Sequence, residues 1–435
     1  MSVTTEHDAP RLAVSTGLVR TVAALMPALV ISFSALIEPL VNLGTARGQY
    51  FGGVELEGES KTRLAQLVMP LFLLTALTLA ALAPPRVPGR LLRVVTPAAL
   101  LLAMALLSSV WAQDMANTLK LALYQAVLFA ALLLFVIVAR DGERVMRWVT
   151  LAFAAAVAAN LVAVATQPAG DIGHQGIYFY KNTLGAAGGC AFLFGLFHVV
   201  DPRWRWRLVG WFTTVGAVVI VIASISKTAL AMMLVAPVLA VGFLVASRVL
   251  SIGPMASTVL LALCGTGAFV VGLGVAGVDT DDVMVATYGG TTFTGRTFIW
   301  GFALDYWANA PWIGNGYRGF WGLGQASPKH GSEIEFIRTI GSGHNGYIDM
   351  MLDLGVVGLG LLVAFTLAAF SAAGRFALRP TRRSLLYMSV VLFVAGRNAM
   401  ESVILWSSFF DNLAFLLVAF LACYREEPRP RTRAA

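Results

Sequence analysis

Charge is what this chain has least of. Asp, Glu, Lys and Arg together make up 12% of its 435 residues, where a soluble domain carries about 25%. The remainder is apolar to match: aliphatic, aromatic and Cys residues make up 58%. A soluble protein of this composition would aggregate, so lipid is the expected solvent for most of it. Cysteine is nearly absent as well. The three that exist (Cys190, Cys264 and Cys423) lie in or at the ends of apolar runs, which excludes a disulfide framework and zinc-binding spacing. No basic stripe with interleaved aromatics lies outside the apolar runs. The net charge of +8 therefore points to short loops on the cytoplasmic side of a membrane and not to nucleic acid. There is no internal repeat, which weakens an inverted-repeat transporter. There is no short signal-peptide core either, because the first apolar run, from Leu18 to Leu43, is long enough to be a span.

What is present is a series of apolar runs with short polar breaks. They fall near 18–40, 64–84, 93–111, 117–139, 148–167, 183–200, 208–225, 228–247, 255–276, 346–370, 384–404 and 407–423. These predict an all-α polytopic membrane protein with about twelve transmembrane helices. Very short turns within the pairs 208–225/228–247 and 384–404/407–423 predict helical hairpins. Arginine sets the orientation. An inside N-terminus places Arg86, Arg90 and Arg93, Arg140, Arg144 and Arg147, Arg203, Arg205 and Arg207, and Arg375, Arg379, Arg382 and Arg383 in inside loops. The inside excess of Lys and Arg is then roughly two to one. The resulting organisation is a cytoplasmic tail over 1–17, helices over 18–276, one large outside loop over 278–345, helices over 346–423 and a second cytoplasmic tail over 424–435. Long structured loops are usually functional. A second candidate is the short outside loop 168–182, where His174, Tyr178, Tyr180 and Lys181 lie close together.

Few residues in such a chain can carry chemistry. His344 ends the long loop in Ser342-Gly343-His344-Asn345-Gly346-Tyr347, at the expected membrane surface. A neutral imidazole, with an ordinary pKa of about 6.5, can accept a proton at physiological pH. The plainer alternative is a surface His at a helix start. Arg296, in Thr294-Gly295-Arg296-Thr297-Phe298-Ile299-Trp300, suits bidentate recognition of a phosphate; Trp300 is alternatively an interfacial anchor. Lys181 and Lys227 sit on outside edges of expected spans, where snorkelling is the simpler account. Separated cations converging on the outer face would suit a pyrophosphate. Arg397 and Glu401, four residues apart in an apolar run, share one face of an expected helix; such pairs usually face a bundle interior or an aqueous cavity. The long loop has no Asp-x-Asp string or paired carboxylates, and Asp279, Asp281 and Asp282 do not have metal-ligand spacing.

Several strings together resemble one family. Ser109-Val110-Trp111-Ala112-Gln113-Asp114 resembles the S-x-W-S-x-D-P start of a span in the O-antigen ligase and polymerase superfamily. Tyr180-Lys181-Asn182-Thr183-Leu184-Gly185 is similar to its h-K-N-x-L-G element. Gly295-Arg296-Thr297 through Trp300, then Pro311-Trp312-Ile313-Gly314-Asn315-Gly316-Tyr317, resembles its G-R-x-x-x-W … P-x-x-G-x-G-y block. His344-Asn345 with Leu352, Gly355 and Gly358 resembles its H-N-x-x-L-x-x-L-x-x-x-G-x-x-G string. The matches run in family order across roughly residues 105–360. The resemblance implies a multi-helix bundle of the C type among glycosyltransferases, with helices in the periplasmic loop. It implies glycan transfer from undecaprenyl pyrophosphate to an acceptor hydroxyl in the periplasm, with no cofactor and no metal.

Carried over residue by residue, the resemblance makes His344 and Arg296 the essential loop residues. Lys227, in Ser226-Lys227-Thr228-Ala229, stands where the family's S-R-g-a string has Arg. Lys at this position looks more like the ExoQ-type exopolysaccharide polymerase branch than like ligases that cap lipid A–core. Lys181 is a further pyrophosphate contact, and Asn182, Asn345, Arg318, Arg397 and Glu401 are supporting candidates. The expected location is the bacterial inner membrane, both termini cytoplasmic. The expected partners are the lipid-linked glycan donor, a glycan or lipid A–core acceptor, the bilayer and other exopolysaccharide assembly proteins, with no nucleic acid. The alternatives are an O-antigen ligase with the same donor and, from another class, a polysaccharide transporter or flippase.

Overall fold

Helix starts follow from local side-chain chemistry. Asp114 accepts the Asn117 N–H at 2.9 Å and Asp141 accepts the Arg144 N–H at 3.0 Å, so each acidic residue caps the long apolar helix behind it. Thr381 and Ser384 form a reciprocal capping box. The computed structural model describes residues 15–41, 63–85, 87–170, 173–253, 256, 295–375, 381–405 and 409–424. Among these there is no strand.

The helices are α1 (Thr16–Ser32), α2 (Arg63–Leu82), α3 (Gly89–Leu107), α4 (Met115–Ala139), α5 (Gly142–Thr166), α6 (Lys181–Val199), α7 (Trp204–Ser224), α8 (Lys227–Val249), α9 (Arg296–Trp307), α10 (Glu335–Thr339), α11 (Gly346–Gly374), α12 (Arg382–Asn398) and α13 (Phe410–Leu421). A π-helical turn, Phe33–Ile37, continues α1. Among the described residues, eight stretches are long and apolar enough to cross a membrane: Thr16–Val41, Gly89–Val110, α4, α5, α6, α7, α8 and α11. Leu67–Leu82 within α2 and all of α13 are shorter apolar helices. The chain is an all-helical, multi-pass membrane protein, as the apolar runs predict. The expected span 255–276, and the loop up to 294, lie outside the described residues.

Burial separates interior from lipid-facing helices. Every residue of α13 is buried, and α12 packs against α8 and α13. By contrast α8 turns bulky apolar side chains outward; Val238 is 70% exposed, an arrangement that only lipid can cover. Chain direction alternates, so the starts of α5, α7 and α12 and the end of α6 meet at one end of the bundle. There Glu143 accepts from Arg147 at 2.9 Å, Arg382 at 3.3 Å and Arg383 at 3.1 Å. Asp201 accepts from Arg382 at 3.0 Å and from the Arg203 N–H at 3.0 Å. Burial raises the Asp201 carboxyl pKa, but these donors outweigh burial and hold it below the ordinary value. The starts of α6, α8, α9 and α11 and the end of α12 meet at the opposite end.

The short loop before α6 is anchored inside the bundle. Tyr178 is buried and donates to the Ala35 carbonyl in the π-helical turn at 2.7 Å, and the His174 N–H donates to Ala223 at 2.9 Å. Tyr178 is thus a tether for this loop and not an exposed part of a site.

Candidate active site

The site begins with the way α12 stops. The helix ends at Asn398, short of the span expected over 384–404. The Asn398 Oδ1 accepts the N–H groups of Val403 at 3.0 Å and Ile404 at 2.9 Å. A side chain that satisfies backbone donors in this way competes with helix continuation. Residues 399–404 fold back as a turn that carries Glu401. The expected pairing of Arg397 with Glu401 on one helix face is therefore corrected. Arg397 is buried, pairs with Asp411 at the start of α13 and lies 5.9 Å from the Phe393 ring centroid.

The Glu401 side chain is where three other segments converge. Its Oε1 accepts from Arg296 Nη2 at 2.9 Å and from Asn182 Nδ2 at 2.9 Å. Its Oε2 stands 3.2 Å from His344 Nδ1. Asn182 Oδ1 in turn accepts from the Ser226 hydroxyl at 3.2 Å. Arg296 is the first residue of α9 and follows Gly295; Asn182 lies on the first turn of α6, and Ser226 immediately precedes α8. Gly185 makes that last approach possible. A Cβ there would stand 2.7 Å from the Ser226 Cβ and 2.8 Å from the Ala229 Cβ. That accounts for glycine at the end of the Lys-Asn-Thr-Leu-Gly string.

His344 is held in an unusual conformation. Its φ is +50°, a left-handed value that costs a residue with a side chain about 1–2 kcal/mol. The residue before it is clamped on both sides. The Gly343 N–H donates to both oxygens of Asp349, at 2.9 and 3.0 Å, and the Gly343 carbonyl accepts from Trp300 Nε1 at 3.0 Å. Asn345 caps α11, accepting from Tyr347 at 3.1 Å and Ile348 at 3.3 Å. Its part is structural, and Trp300 is a clamp on this loop.

The remaining strings of the sequence build the platform beneath these residues. Helix α11 breaks at Leu354 and Gly355, the latter at φ +65°. The break frees backbone groups that must be paired elsewhere in a dry environment. The 311–316 loop pairs them. Asn315 N–H donates to Leu352 at 3.1 Å and Gly316 N–H to Asp353 at 2.9 Å, while Val356 donates to Pro311 at 2.9 Å. A Cβ at Gly355 would stand 2.2 Å from the Trp312 backbone, so glycine is required there. The same loop is seated on the α3–α4 turn: the Tyr317 N–H donates to the Ser108 hydroxyl at 2.8 Å. The buried Tyr317 hydroxyl donates to Leu405 at 2.7 Å, tying the loop to the chain just beyond Glu401. Arg318 follows, half-buried at φ +54°; it is not one of the donors to Glu401 described above.

Electrostatics favour an ionised Glu401. Burial raises its pKa, but the hydrogen bond and charge of His344 and the charges of Arg296 and Arg397 outweigh burial and hold it below the ordinary carboxylate value. An ionised Glu401 favours the tautomer with Nδ1–H donated to it, which leaves the basic lone pair of a neutral ring on Nε2. Lys227, exposed, and Lys181, half-buried, are the first residues of α8 and α6. The starts of α6, α8, α9 and α11 also bring the positive ends of four helix dipoles to this face. Among the described residues no three His, Cys, Asp or Glu side chains cluster closely enough to hold a metal ion.

Of the residues singled out from the sequence, His344, Arg296 and Asn182 meet at Glu401, with Lys181 and Lys227 at the same end of the bundle; the sequence reading made Glu401 a supporting residue. It missed Ser226 and Asp349. Asp349 is fully buried and also accepts from Trp321 Nε1 at 2.8 Å and from the Ser402 hydroxyl. An acid near the start of a strongly apolar run was the signal for it.

Compared with known families, residues 176–363 match the family described as O-antigen ligase, Wzy_C. The matched span contains Asn182, Ser226, Lys227, Arg296, His344 and Asp349 and ends before Glu401. No curated protein matches the chain.

Proposed function

We propose, from the match of residues 176–363 to the family described as O-antigen ligase, that the chain transfers a glycan from a lipid-linked pyrophosphate to a sugar hydroxyl at the Glu401 end of the bundle. Glycan transfer of the ligase or polymerase type is what the family supports. The finer reading is ours: an undecaprenyl-pyrophosphate donor, and polymerisation of exopolysaccharide or O-antigen repeats in the bacterial inner membrane. Both termini are cytoplasmic in this reading, because the arginine-rich turns gather at the Glu143 end and the site at the other.

The observation that carries the reading is the convergence of Arg296 and His344 on one carboxylate, with Lys227 and Lys181 at the same end. Arg296 commits Nη2 to Glu401; a guanidinium has five N–H donors in all, so it can hold Glu401 and an anion together. The acceptor hydroxyl oxygen attacks the anomeric carbon while its proton passes to His344 Nε2. The bond from the anomeric carbon to the pyrophosphate oxygen breaks, and that oxygen takes the electron pair. Arg296, Lys227 and Lys181 stabilise the charge gained by the leaving pyrophosphate. Glu401 orients the ring and stabilises the imidazolium. Direct displacement inverts the anomeric centre. Beside the 311–316 loop is a cleft of about 190 Å³ lined by Trp111, Gln113, Tyr306, Gly314, Asn315 and Phe320.

Lys227 at the position of the family's second Arg favours a polymerase over a ligase. A deletion strain tests this. Loss of a polymerase leaves single repeats, while loss of a ligase leaves lipid-linked polymer and bare core. A transporter predicts no product from purified protein in detergent; a transferase needs no gradient and makes product there.

A further inference from the structure

The residues that flank the reacting pair share one anchor. His344 follows Gly343 and Glu401 precedes Ser402. Gly343 donates its N–H to Asp349 at 2.9 and 3.0 Å, and Ser402 donates its hydroxyl to the same carboxylate. Asp349 also holds Trp321 Nε1 at 2.8 Å, and Trp321 is itself fully buried in the loop's small core. A buried carboxylate with this many donors is costly to place and is rigid once satisfied. Its position is not required by the break in α11, which lies further along at Leu354 and Gly355, or by the cap on α11, which Asn345 supplies.

We propose that Asp349 is the positioning residue that sets the register between His344 and Glu401, an assignment that rests on reading those two as the reacting pair. One carboxylate holds the backbone N–H of the residue before His344 and the side chain of the residue after Glu401. The two side chains, which come from segments far apart in sequence, are thereby brought to 3.2 Å. The left-handed backbone at His344 is held by the same contact, because Gly343 cannot turn without breaking it. Asp349 touches neither donor nor acceptor in this account; it acts through the pair.

The charged groups that bear on His344 are Glu401 on the turn after α12, Arg296 on α9 and Asp349 on α11; Arg397 acts on it through Glu401, and Lys181 and Lys227 are at the starts of α6 and α8. A carboxylate held against Nδ1 favours the protonated ring. Loosening the register therefore lowers kcat and moves the acid limb of the kcat–pH profile to lower pH.

The test uses the full-length protein in detergent with a lipid-linked pyrophosphate oligosaccharide from the source membranes. Asp349→Asn is expected to lower kcat by roughly 100-fold, the scale of a misplacement near 1 Å, with the KM for the donor changed by less than about three-fold. Ser402→Ala keeps the Asp349 side chain and removes only the Glu401-side contact. It is expected to lower kcat by roughly ten-fold and to move the acid limb the same way by a smaller amount. If Asp349→Asn does not fold, the Ser402→Ala profile decides alone. Loss of active protein with an unmoved acid limb in both variants would make Asp349 a structural residue and overturn the proposal. A shifted limb in Asp349→Asn with full kcat and an unmoved limb in Ser402→Ala would overturn it too, leaving only a charge effect. Full activity in His344→Ala would instead defeat the reading of the reacting pair on which the assignment stands.

Discussion

The two ends of this bundle solve the same problem, a carboxylate taken out of water, in opposite ways. At one end Glu143 meets three guanidiniums, Arg147, Arg382 and Arg383, and its side chain is 9% exposed. At the other end Glu401 meets one guanidinium, one imidazole and one amide, and is 17% exposed. Every partner of Glu143 is a permanent cation. The cluster staples α5 to α12. Glu401 has a titratable partner with a second ring nitrogen, an Arg with N–H groups to spare and a strained backbone beside it. Saturated charge makes a staple; charge shared with a histidine on a strained loop makes a site.

Breaking the comparison at its active end gives the largest expected effect. His344→Ala removes the proton acceptor and is expected to lower glycan transfer by about 10³-fold, within the range for general base catalysis, with unchanged protein in the membrane fraction. Turnover with purified protein measures it. Arg296→Lys is the next largest. It keeps the charge and loses the fork that holds Glu401 and pyrophosphate together, so transfer is expected to fall by about 10²-fold, mostly in kcat.

Glu143→Gln sharpens the comparison from the staple end. Three guanidiniums lose their shared anion, and stability is expected to fall by roughly 2–3 kcal/mol, read as a lower thermal midpoint in detergent. Turnover per folded molecule should stay at the wild-type level. Acid pH gives the smallest effect. Glu401 and Asp201 are each held below the ordinary carboxylate value. Each therefore stabilises the folded protein at neutral pH, and that contribution is lost as pH falls through the carboxylate range. The thermal midpoint should fall as pH drops below about 4. A midpoint that holds steady or rises below about pH 4 would contradict both assignments.

Much of this was legible in the sequence, and what was not has identifiable causes. Apolar runs announce the helices because only lipid tolerates them. His344 and Arg296 stand out because polar side chains at the edges of such runs are few. Glu401 was misjudged because a four-residue spacing from Arg397 reads as one helix face. Only the structure shows that Asn398 takes the N–H groups of Val403 and Ile404 and ends the helix first. Glu401's partners are also remote, on α6, on α9 and before α11, and no local pattern encodes a meeting of that kind. Asp349 was hidden by the apolar run that contains it. The glycines of the loop strings were legible as motif letters, but their reason, a loop paired to a broken helix, lies in hydrogen bonds between residues 311–316 and 352–357.

The most direct test is a single assay of wild type, Glu401→Gln and Glu143→Gln. Each is purified in detergent, given a lipid-linked pyrophosphate oligosaccharide and examined for glycan transfer per folded molecule. The account predicts that wild type and Glu143→Gln make product at the same rate and that Glu401→Gln makes about 10²-fold less. Equal rates from wild type and Glu401→Gln, or a Glu143→Gln that folds but is inactive, would contradict it.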